Sequence, residues 1–74
     1  MGQVGNTRKV LSKFLKEARE RRHLSREELA FRAGVHANTM ANWEKGDGLT
    51  LDGFVQWCDS LGMMASEVLR KVGR

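Results

Sequence analysis

Apolar side chains recur along most of this chain at spacings of three and four, the period of a helix with one face turned inward. Leu11, Phe14, Leu15 and Ala18 stand at i, i+3, i+4 and i+7, and predict a first helix from about Arg8 to Arg22 with Asn6 or Thr7 as its cap. Ser25 and Glu28 form the pattern of a capping box and open a second helix whose inner face is Leu29, Ala30 and Ala33. Gly34 ends it, because the chain must turn through a positive φ there, and Val35 supplies an apolar plug beneath the turn. A third helix, from His36 or Ala37 to Lys45, sets Met40 and Trp43 on one side and Ala37, Asn38, Ala41 and Asn42 on the other. Beyond a loop at Gly46-Asp47-Gly48-Leu49, Thr50 caps a fourth helix to about Leu61. Leu51, Phe54, Val55, Trp57, Cys58 and Leu61 give that helix more apolar surface than one stripe needs. Gly62 stops it, and a fifth helix from about Ala65 to Lys71 gathers Val68, Leu69 and Val72 with Met63 or Met64.

The sequence has no Pro and no alternating run of strand length, so the expected fold is all-α and compact, five helices around one core. Residues 1–6, with two glycines and few apolar groups, are expected to form a flexible arm, residues 7–71 the domain and residues 72–74 a short basic tail. At 74 residues there is room for one small core and none for a separate catalytic domain. No apolar run is long enough to span a bilayer and no basic-then-apolar leader is present, so cytoplasmic residence is expected. Cys58 is the single cysteine; it is expected to be a buried thiol, with no disulfide and no metal site. Trp43 and Trp57, at helical spacing from other large apolar residues, read as core.

The formal net charge of +4 is unevenly placed. Residues 1–22 carry seven basic and two acidic side chains, residues 23–49 three and four, residues 50–74 three and three. The positive field therefore belongs to the first helix and what precedes it, beside a near-neutral centre. His23 is expected to sit at a helix C-terminus against the dipole, as are Arg70, Lys71 and Arg74 at the last helix. No Ser-His-Asp set, framed carboxylate pair or Gly-rich phosphate loop occurs, so neither an enzyme nor a cofactor or small-molecule ligand is expected.

The ordered set Leu29-Ala30, Gly34-Val35, Met40, Trp43-Glu44 and Gly46 resembles the helix-turn-helix of the lambdoid phage repressor and Cro (XRE-type) family, and the resemblance extends from Leu15 to Leu69. It implies a five-helix lambda-repressor-like DNA-binding domain whose helices 2 and 3 form the helix-turn-helix and whose helix 3 enters the major groove. Asn can bond adenine bidentately and an Ala methyl can meet the thymine methyl, though polar residues on a helix face are most often only solvated. Matched onto the family pattern, Ala37, Asn38 and Asn42 fall on base-reading positions. Arg26, Thr39 and Lys45 fall on phosphate-binding positions, with Arg8, Lys9 and Lys13 added from the arm or first helix. Arg19 and Glu44 match positions that form a structural ion pair.

Two departures alter the expectation. The loop after Gly46 is short, acidic and without Pro where the family has a basic one, which shifts the load of phosphate contact towards the N-terminal segment. His36 replaces the usual Ser or Thr cap of helix 3. The implied function is sequence-specific double-stranded DNA binding by a transcriptional regulator, a small phage or bacterial Cro-like or immunity repressor acting by operator occupancy. Its expected partners are a palindromic operator and a second copy of itself, with Met63, Met64, Val68, Leu69 and Val72 as a candidate dimer contact, or else closure of the monomer's own core. A monomer that binds weakly, and an antitoxin or bridging module on the same fold, are the alternatives.

Overall fold

Five helices follow one another in the computed structural model, which describes residues 4–73 and the side chains from Thr7 onward. They are α1 (Val4–Arg21), α2 (Arg26–Ala33), α3 (Ala37–Glu44), α4 (Leu51–Ser60) and α5 (Ala65–Val72). Helix α1 begins four residues before the expected Arg8, so residues 4–6 of the expected arm form its first turn; nothing in that stretch obliges a helix to stop. Residues 1–3 and Arg74 lie outside the described residues.

Each helix contributes at least one fully buried side chain to a common centre, among them Leu15, Leu29, Met40, Trp57 and Val68. Leu11, Ala18, Ala30, Trp43, Phe54, Cys58 and Leu61 complete it, joined by Leu49 from the loop before α4. The indoles of Trp43 and Trp57 stack, with centroids 6.1 Å apart and planes 29° from parallel. Cys58 is a free buried thiol, pushed up to about 11 by burial and, secondarily, by the neighbouring Asp59 charge. Among the described residues no three His, Cys, Asp or Glu side chains group as metal ligands, and no helix is long and apolar enough to cross a membrane.

The excess apolar surface of α4 is resolved by exposure: Phe54, Trp57 and Cys58 enter the core while Leu51 and Val55 face outward. The candidate dimer cluster divides in the same way. Val68 is fully buried and Met63 and Val72 pack against the core, so these three close the monomer, and Met64 and Leu69 alone of the five stay exposed. The reason is the register of α5, which faces α1 and α4 across one side only.

Candidate nucleic-acid interface

Helix α2 opens where the Ser25 hydroxyl accepts the Glu28 amide at 3.0 Å. The reciprocal half of the expected capping box is not made; the Glu28 carboxylate lies instead 3.9 Å from Arg32 one turn on. At the other end Gly34, at φ 76°, donates its amide to the Phe31 carbonyl while Val35 reaches back to Ala30 at 3.0 Å. That double closure reverses the chain and brings α3 against α2. His36 takes the N-cap position of α3 with extended backbone and no side-chain cap bond. The end of α3 repeats the closure, with Gly46 at φ 87° and the Asp47 amide bonded to Asn42 at 2.8 Å.

Met40 and Trp43 anchor the inner side of α3, and Asn38 and Asn42, one turn apart, are exposed on the outer side. Ala37 is half-buried and packs against the core, so its methyl is only partly available to a groove. Thr39 is half-buried and Lys45, the C-cap, is exposed. On α1, Arg8, Lys9 and Lys13 are exposed. Lys9 runs beside the end of α3, close enough that a Cβ on Gly46 would come 3.1 Å from its Cγ. Arg8 lines an apolar groove of about 220 Å³ with Leu11, Leu49, Thr50, Leu51, Phe54 and Leu69.

Behind α3 stands a charged cluster. Arg19 donates from Nε to Glu44 Oε2 at 2.7 Å, from Nη2 to Oε1 at 3.3 Å, and from Nη1 to the Leu24 carbonyl at 2.7 Å. Both side chains are largely buried, so removing one partner would strand the other's charge. Arg26, read from the sequence as a phosphate ligand, also joins this pair: its Nε donates to Glu44 Oε1 at 3.1 Å. Sequence reasoning did not find that bond, because it spans eighteen residues and depends on the turn between them. It also missed the approach of α4 to Trp43, where Gly53 lies so near the indole that a Cβ would come within 2.6 Å of Cζ2.

Two short helices at a sharp turn, the second with a buried inner side, an exposed polar outer side and an ion pair tying its end to the preceding helix, define a helix-turn-helix DNA-binding protein. The model of the helix-turn-helix family of Cro and C1 type matches residues 15–62, and the chain belongs to that family of DNA-binding transcriptional regulators. Among solved structures it is similar to the crystal structure of the clp gene regulator ClgR from Corynebacterium glutamicum, at a TM-score of 0.80 and 22% identity, over 90% of this chain and 72% of that one. At that identity the likeness concerns the fold. No curated protein matches the chain at a significant level.

Proposed function

We propose that this protein is a sequence-specific regulator of the Cro-like or immunity-repressor kind, of phage or bacterial origin, which silences transcription in the bacterial cytoplasm by occupying an operator. Helix α3 enters the major groove, Asn38 and Asn42 bond adenine edges, and the Ala37 methyl lies near a thymine methyl. Arg26, Thr39 and Lys45 on the helix-turn-helix, with Arg8, Lys9 and Lys13 on α1, contact phosphates and supply most of the affinity. The observation that carries this reading is the exposed pair Asn38 and Asn42 on a helix held from behind by Met40, Trp43 and Glu44. A side chain can discriminate bases only if the helix under it is fixed.

A module of this size covers limited DNA surface, so two copies on a palindrome are expected, with half-sites about 10 base pairs apart. Leu69 of α5 and Met64, the residue that precedes that helix, are available for that contact. Selection of bound duplexes from random sequence, followed by a salt titration of the winner, tests the proposal. It is expected to return two related half-sites containing adenine and a steep loss of affinity with salt. A second reading, an interaction module such as an antitoxin, draws on Phe31, an aromatic left 86% exposed on α2. No enrichment at any salt would replace the operator reading with that one.

A further inference from the structure

Glu44 receives two guanidiniums, and they are not equivalent. Arg19 spends all three of its nitrogens, two on Glu44 and one on the Leu24 carbonyl, and is buried. Arg26 spends only Nε, on Glu44 Oε1 at 3.1 Å, and its side chain is 45% exposed. Among the described residues it makes no other hydrogen bond or ion pair. The three side chains come from three elements: Arg19 from the last turn of α1, Arg26 from the first position of α2, Glu44 from the last of α3. The Glu20 carboxylate also lies 3.9 Å from Arg19 Nη2, so two carboxylates face two guanidiniums, and the exposed, uncommitted part of the cluster is the Nη1 and Nη2 end of Arg26.

A guanidinium is rigid and planar, with two separate edges for oxyanions. With Nε fixed on Glu44, the direction of the remaining Nη fork is set by α3 itself. We propose that Arg26 is a positioning residue for base reading, holding Glu44 through Nε while its Nη fork takes a DNA phosphate, so that phosphate capture and the seating of Asn38 and Asn42 are coupled. The inference rests on the operator-binding reading above. A phosphate contact ordinarily carries no sequence information. Here it does, because the same planar group braces the end of the reading helix. An ammonium offers no second edge in a fixed plane: Lys at this position keeps the charge and loses the link between phosphate and Glu44.

The test uses the full chain and two duplexes of equal length, one bearing the selected half-sites and one of random sequence, with affinity measured across a salt series for wild type and Arg26→Lys. Circular dichroism at the measuring temperature checks that wild type and every variant used, those at Glu44 included, are equally helical. For R26K, the salt slope is expected to stay as in wild type because the charge count is unchanged, while affinity falls modestly on the random duplex, which loses the fork, and further on the selected one. The ratio of selected to random affinity is expected to fall about five- to tenfold, the size of a coupling between contacting side chains. In an E44Q background the same Arg26→Lys change should leave the ratio nearly unmoved. An unaltered ratio in R26K would reduce Arg26 to a source of charge and overturn the inference while operator binding stands. A wild type with no preference between the duplexes would overturn operator reading, and this inference with it.

Discussion

Gly53 shows how closely α3 is braced by single atoms. It is buried on α4 against the Trp43 indole, and a methyl group there would overlap Cζ2 and crowd two more ring carbons. Alanine is the better helix former by about 1 kcal/mol, so propensity alone favours Gly53→Ala. Overpacking a filled core costs about 1–3 kcal/mol, and Trp43, stacked on Trp57, has little room to yield. The expected result is a protein that melts at lower temperature than wild type, measured by circular dichroism; an unchanged or higher Tm would mean that the indole gives way freely. The core place of Trp43 was legible from its spacing with Met40, but the need for glycine at 53 was not. That need arises from the distance between two helices, which no local pattern encodes. The same holds for Arg26, whose residue type and exposed position are readable while its bond to Glu44 is a product of the turn.

Helix ends divide by whether their signal is local. Ser25 and Thr50 cap α2 and α4 as their positions predict, each hydroxyl accepting an amide three residues on at 3.0 Å. Gly34 and Gly46 end α2 and α3 where the sequence places stops. The start of α1 was less legible, because Gly5 and Asn6 read as the end of an arm, yet the helix runs through them. Its other end closes in the same double-bonded manner as α2 and α3, yet the residue at positive φ is His23, at 57°. For a side chain with a Cβ that region costs about 1–2 kcal/mol, against about 0.5–1 kcal/mol of added chain entropy when glycine is introduced. His23→Gly is therefore expected to stabilise the fold by up to about 1 kcal/mol, raising Tm by about 4–8 °C for a domain this small. A lower Tm would show that the imidazole earns its place through the helix dipole, as its position at the end of α1 first suggested.

At the level of the molecule, the five-helix order was legible because every helix carries apolar positions at helical spacing and all but α1 are followed by a glycine. The fate of those positions was not. Periodicity marks a face as apolar without saying whether the core or a partner covers it, so Val68 went to the core and Leu51, Val55 and Leu69 to the surface. The electrostatics follow a similar division, with the basic excess on α1 readable from composition and the placement of Lys9 beside the end of α3 visible only in three dimensions. What results is a near-neutral helix-turn-helix braced from behind by Glu44 and flanked by a basic helix. Asn38 is proposed to read a base from that brace. The direct measurement is the affinity of wild type and Asn38→Ala for the selected operator and for its single-base variants at fixed salt. Asn38→Ala is expected to lose about 1–3 kcal/mol on the operator, to tolerate substitution at one adenine position that wild type rejects, and to bind random DNA as before. Equal discrimination by both proteins at every position would contradict it.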